Sequence, residues 1–183
     1  MTLLDLLLPI GVASVALFVY SFLTWTVLPF HSADWSDLEN DDALRGSVRG
    51  LNLPPGTYLF PRAKNHAAAK TPEFQAKYAE GPFGILTIMR PVNMGRNLLL
   101  TFLVFASATV LIAYLGSVTL PRGASFGKVM QTMATAGILT YCFSFLPNGI
   151  WFGGRGRAML ACFIDGVVFG LLTGLSFALL WPK

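Results

Sequence analysis

Four apolar stretches of membrane-crossing length govern what this chain can fold into. They run from about Leu6 to Leu28, Leu98 to Leu115, Val129 to Leu146 and Met159 to Leu180. A helix climbs about 1.5 Å per residue, so about 20 apolar residues cross a hydrocarbon core of ~30 Å. Backbone surrounded by lipid must satisfy its own N–H and C=O groups, and each stretch is therefore read as a transmembrane helix. Composition agrees, with 54% hydrophobic and 12% charged residues. Such a balance, with two cysteines and eighteen glycines in no triplet period, excludes a disordered chain, a collagen and a disulfide-stapled secreted scaffold. The fold class expected is an all-α membrane protein, with four transmembrane helices and a small α+β or irregular cap in the long first loop.

The expected organisation is transmembrane helix 1 in residues 1–30, an extramembrane cap in 31–97 and transmembrane helices 2–4 in 98–183. Residues 1–8 hold no Lys or Arg and the following apolar run is of full span length, so the first stretch is read as a permanent helix and not as a cleaved signal. The third stretch carries Gln131, Thr132, Thr135, Thr140, Tyr141 and Ser144, which places it inside a bundle. Ten Lys and Arg residues lie in the 31–97 loop and the 151–158 turn, against Arg122, Lys128 and Lys183 on the other side. That bias puts the long loop in the cytoplasm and both termini in the periplasm. Seven acids nearly balance the loop's bases, and nothing supports a nucleic-acid partner.

A connection of more than sixty residues needs elements of its own. Ser36 and Glu39 have the spacing of a capping box, followed by Asn40, Asp41 and Asp42 ahead of a short helix with Leu44, Val48 and Leu51 on one face. Leu53-Pro54-Pro55-Gly56 enforces an extended segment and a turn, and Tyr58 to Phe60 is read as a short strand. Thr71, Pro72 and Glu73 mark the start of a second helix, ended by Gly81-Pro82. The apolar run Phe83 to Met89 is either a strand or a segment lying on the membrane.

His31, the acids after it, Leu53-Pro54-Pro55-Gly56 with Tyr58, Phe60 and Pro61, Pro72-Glu73-Phe74, Gly81-Pro82, Trp151, Asp165-Gly166 and Trp181-Pro182 together give the chain a likeness. It resembles a family of small uncharacterised bacterial four-span inner-membrane proteins. The resemblance covers most of the chain and implies a bacterial inner-membrane setting, without implying any activity.

Candidate chemistry centres on Asp165, the one acid inside the fourth span. Intramembrane carboxylates are costly and often lie on ion or proton paths, whereas a hydrogen-bonded carboxyl also serves as a polar lock between helices. Antiparallel packing would bring it near Tyr141, Ser144 or Asn148, or near Arg155 and Arg157 of the turn. On the same helix Ala158, Cys162, Gly166, Gly170, Gly174 and Ala178 recur every four residues, a stripe suited to close helix packing within the protein, with a second copy or with another protein. Gly153-Gly154-Arg155-Gly156-Arg157 lacks Walker spacing and is read as a turn whose arginines, with Arg90 and Arg96, contact lipid phosphates or another anion. His31 and the acids from Asp34 to Asp42 match no zinc or EF-hand spacing and are read as helix caps. No metal and no cofactor is expected. Cys142 and Cys162 are read as small apolar residues, and Trp25, Trp35, Trp151 and Trp181 as interfacial anchors.

These features favour a non-enzymatic accessory, assembly or structural subunit of a membrane complex. Its partners would be the lipid bilayer, a protein bound through residues 31–97 or the fourth helix, or a second copy of the chain. A small oligomeric transporter or channel using Asp165 is the alternative. An enzyme acting on lipid head groups comes third, because no catalytic set stands out beside Asp165 and His31.

Overall fold

The computed structural model describes residues 1–183. In chain order its elements are α1 (Leu7–Phe22), α2 (Asp41–Gly50), β1 (Gly56–Phe60), α3 (His66–Ala69), α4 (Pro72–Glu80), β2 (Gly84–Ile88), α5 (Met94–Thr119), α6 (Phe126–Cys142), α7 (Leu146–Trp151) and α8 (Gly156–Leu179). A 3-10 turn, Leu3–Leu6, leads into α1, a π-helical turn, Leu23–Val27, extends it, and a second 3-10 turn covers Ser32–Asp34. Four segments have the length and apolar character to cross a membrane: Leu3–Val27, Met94–Thr119, Phe126–Trp151 and Gly156–Leu179. The chain is an all-α membrane protein carrying one two-stranded sheet. It forms two units, residues 1–36 with 94–183, and residues 37–93. Residues 31–36 and 94–97, assigned to the loop on sequence, are thus part of the helical unit.

Within the helical unit the closest pairing is α6 with α8, and glycines make it so. A Cβ built on Gly170 would lie 2.6 Å from the Ile138 nitrogen, one on Gly174 2.9 Å from the Ala134 nitrogen, and one on Gly166 2.9 Å from the Tyr141 carbonyl. From the other side, a Cβ on Gly137 would meet the Gly170 Cα at 2.7 Å. The small-residue stripe of α8 is therefore filled by the protein's own α6. Lipid gives apolar side chains no reason to prefer a helix over the bilayer, so this backbone-to-backbone approach supplies the dispersion contacts that hold the pair.

α1 leans on α5 and α8. Leu6, Ile10 and Ala13 join Ile112, Val129, Met133 and Phe177 in one core, while Leu17, Phe105 and Phe169 with Tyr20, Tyr141 and Leu172 form another. The outward faces, such as Leu7, Leu8 and Val15 of α1 and Leu103, Val104 and Leu111 of α5, are exposed as lipid-facing residues should be. Ser14, Thr109 and Thr173, all buried, each donate to the carbonyl four residues back at 2.8 Å, so their hydroxyls are satisfied within their own helices. Trp181 is buried and donates its Nε1–H to the Pro121 carbonyl at 2.9 Å, tying the C-terminal residues to the α5–α6 turn. Arg122 of that turn pairs with Asp5 at 2.7 Å.

The third span is interrupted. α6 stops at Cys142 because Pro147, in the first turn of α7, has no N–H and would crowd the carbonyl of Phe143 in a continuous helix. Gly153 then adopts φ 71°, a left-handed conformation that opens the turn into α8.

The 37–93 unit follows local chemistry closely. Asn40 caps α2 by accepting from the Ala43 N–H at 3.0 Å, so the Ser36–Glu39 box does not form. Thr71 caps α4 with Pro72 behind it, and Asn65 caps the short α3, which the sequence reading passes over. β1 and β2 pair antiparallel, from Gly56 opposite Ile88 to Phe60 opposite Gly84. The 83–89 run is thereby a strand. Tyr78 stacks on Phe83 with centroids 5.2 Å apart.

The α6–α8 contact predicts unequal tolerance of substitution. Gly170→Ala should lower stability in detergent by about 1–3 kcal/mol through overpacking against backbone that has nowhere to go, and Gly170→Leu should disrupt the unit. Leu171→Ala on the exposed face should change little, and thermal unfolding of the three variants side by side checks the order.

Candidate functional site

Asp165 lies nine residues into α8, about 13 Å along the helix from Gly156. Its carboxylate is 3% exposed and faces α1, not α6. Oδ1 accepts from the Tyr20 hydroxyl at 3.1 Å, and Oδ2 lies 2.9 Å from His31 Nε2. The other ring nitrogen, Nδ1, is 2.5 Å from Asp34 Oδ2. Arg157, half exposed at the start of α8, donates from one terminal nitrogen to Asp34 Oδ1 at 2.5 Å and from the other to the Phe30 carbonyl at 3.2 Å. Beside it Arg155 donates to Ser36 Oγ at 2.8 Å.

Local structure brings these groups together. Past Phe22 the helix loosens to a π turn, with the Leu28 N–H bonding back to the Leu23 carbonyl at 2.8 Å. Pro29 follows, and the Ser32 hydroxyl bonds its carbonyl at 2.7 Å, reversing the chain toward α8. In a 3-10 turn residues three apart eclipse, which sets the Asp34 carboxylate beside the His31 ring. Trp25, on the π turn, covers that ring, the two planes 11° apart with centroids at 3.8 Å. Phe30 meets it edge-on at 5.0 Å.

The proton count is constrained by this geometry. A neutral imidazole has one N–H, whereas here both nitrogens face carboxylate oxygens, so only the cationic ring donates to both. With that proton in place, two carboxylates are balanced by an imidazolium and a guanidinium. The buried cluster is then neutral as a whole, the condition under which charges tolerate burial.

Several residues singled out on sequence stand elsewhere. Tyr141 is not a partner of Asp165; its buried hydroxyl has no hydrogen bond, and its ring packs on Phe105 and Phe169. Ser144 is exposed in the turn after α6. The separation follows from helix geometry, because Gly166, next in sequence to Asp165, is what turns toward Tyr141. Arg155 and Arg157 bond within the chain, Arg96 lies in the first turn of α5, and Arg90 belongs to the 37–93 unit. Of the acids after His31 only Asp34 reaches the ring, and no three His, Cys, Asp or Glu side chains converge as metal ligands. Tyr20 and Trp25 were missed. A signal for the central pair was present: one acid lies within the fourth span and one histidine immediately follows the first.

Removing one partner should expose the cost of the other. Asp165→Ala should destabilise the protein by about 3–5 kcal/mol, because it takes one of two carboxylates from a buried imidazolium, unbalances the cluster by one charge and leaves the Tyr20 hydroxyl without its acceptor. Arg157→Gln, at a half-exposed position screened by solvent, should cost about 1 kcal/mol or less. Chemical or thermal unfolding in one detergent distinguishes the two, and equal losses would contradict the assigned geometry.

No family model, curated protein or solved structure matches this chain, so the functional reading rests on the site and the fold.

Proposed function

We propose that this multi-pass membrane protein is a non-enzymatic accessory, assembly or structural subunit of a membrane complex, with the Asp165 cluster as its internal latch. The observation that carries the reading is that both oxygens of Asp165, both oxygens of Asp34 and both ring nitrogens of His31 are already spent on groups of the same chain. A transport site must leave a group open to its cargo, whereas this one closes the joint between the end of α1 and the start of α8. The segment so held leads directly into residue 37, where the second unit begins. That unit exposes Leu59, Tyr78, Phe83 and Ile85, apolar and aromatic surface of the kind a protein partner covers.

The setting that goes with this reading is a bacterial inner membrane, termini in the periplasm and the 37–93 unit in the cytoplasm, supported by the Lys and Arg bias. A transporter working as an oligomer is the second reading, favoured by a carboxylate and an imidazole paired at the edge of a span. A lipid-head-group enzyme is supported less, since Arg155 and Arg157 are engaged by Ser36, Asp34 and the Phe30 carbonyl.

Two measurements test the proposal. Proteoliposomes should show no solute flux driven by a pH gradient, and flux abolished by Asp165→Asn in a variant that still folds would move the assignment to transport. A periplasm-dependent reporter fused after Lys183 should be active and a cytoplasm-dependent one silent; the opposite pattern reverses the orientation and leaves the fold as described.

A further inference from the structure

We propose that Asp34, His31 and Asp165 form a proton-binding site, which holds one exchangeable proton on the imidazole between two carboxylates where residues 29–36 meet α8. The inference deepens the latch reading above and rests on it. Three independent features of the geometry carry it.

The first is the hydrogen-bond pattern. Both ring nitrogens are within hydrogen-bond distance of a carboxylate oxygen, at 2.5 and 2.9 Å. Removal of one proton turns one of those bonds into a lone pair facing an anion, and the cluster passes from neutral to one net negative charge. Away from bulk water such an imbalance weighs far more than it would at an exposed site. Imidazole is also the side chain whose charge ordinarily changes near neutrality.

The second is the aromatic cover. Trp25 lies parallel to the His31 ring with centroids 3.8 Å apart, and the face of an indole attracts a cation. Trp25 thereby favours the protonated ring over the neutral one.

The third is access. An open cleft of about 410 Å³ is lined by His31 together with Trp25, Ser32 and Trp35, but by none of Asp34, Asp165 and Tyr20. Asp34, the outer carboxylate, is bonded to the half-exposed Arg157. A proton thus has an entry at His31 while Asp165 stays sealed.

Several elements place groups around the ring. α1 contributes the Tyr20 hydroxyl, which donates to Asp165; the π turn contributes Trp25, and the reversal contributes Phe30. The 3-10 turn contributes Asp34, and α8 contributes Arg157, Asp165 and, one turn before Asp165, Cys162. Loss of the ring proton removes one of the two carboxylate bonds of the imidazole, while the Arg157 bonds to Asp34 and the Phe30 carbonyl remain.

The other histidine, His66, is exposed at the start of α3, so His66→Gln leaves His31 as the single histidine without touching the site. Protein carrying this change and uniformly labelled with 15N, in nanodiscs at zero gradient, should show two protonated ring nitrogens on its one histidine at low to neutral pH and loss of one proton as pH rises. The amide resonances of Ser32 and Asp34, which donate to Pro29 and His31 carbonyls, should shift with the same midpoint. Asp165→Asn and Asp34→Asn should each weaken proton binding at least tenfold, and where one variant fails to fold the other and the native titration remain decisive. A ring with one N–H at every pH where the protein is folded, a titration unaccompanied by the amides, or a midpoint unmoved by both substitutions overturns the site. None of these readouts depends on flux or on a partner, so failure here is separable from failure of the accessory reading.

Discussion

A carboxylate set inside a span has to be answered by its own chain, and the way Asp165 is answered dictates how the first and last spans meet. Lipid offers neither counter-ions nor hydrogen bonds, and an ion pair repays its desolvation only when geometry is good and the remaining lone pairs are filled. Tyr20 and His31 fill them from the α1 side, then Asp34 and Arg157 extend the network outward until it reaches a guanidinium that solvent partly screens. This graded exit from the low-dielectric interior is why a 3% exposed acid and a 3% exposed histidine can coexist in a span-bearing unit. It also explains the irregular end of α1. A regular helix continuing past Phe22 would carry Trp25 and the following residues past α8, whereas the π turn and Pro29 bend the chain back over it.

The same helix has to serve two neighbours with two chemistries. Successive residues on a helix are separated by about 100°, so Asp165, Phe169 and Leu172 share a face toward α1 while Gly166, Gly170 and Gly174 present another to α6. Neither face is dispensable to the other. The glycines bring α6 close enough to fix the rotation of α8, and that rotation aims Asp165 away from α6 and at Tyr20. Replacing a stripe glycine would therefore disturb the polar cluster without touching any member of it.

Much of the fold was legible because it depends on local rules. The four spans follow from uninterrupted apolar length, α4 from Thr71 and Pro72, and α2 from Asn40 and the acids beside it. What escaped depends on partners distant in sequence. Ser36 has capping-box spacing, but Arg155, 119 residues away, takes its hydroxyl. The 83–89 run is ambiguous alone and becomes a strand only by pairing with β1. Asp165 was recognisable as the residue of interest, and the antiparallel order of α6 and α8 made Tyr141 and Ser144 its natural neighbours. Which face of α8 each helix receives, however, is a matter of rotation, and an antiparallel arrangement by itself leaves rotation open.

Two tyrosines show how far the polar region extends into the bundle. Tyr20 and Tyr141 both pack on Phe169, each with centroids 5.5 Å away, yet only Tyr20 reaches the acid. The Tyr141 hydroxyl is buried beside Thr109, whose own hydroxyl donates to the Phe105 carbonyl. Phe105 closes on the same ring from 5.1 Å, so aromatic carbon stands beyond the carboxylate where a conducting path would need donors and acceptors. Further along α8 the hydroxyls of Thr173 and Ser176 point back to the Phe169 and Leu172 carbonyls. On the proposed reading the site binds and releases its proton from one side.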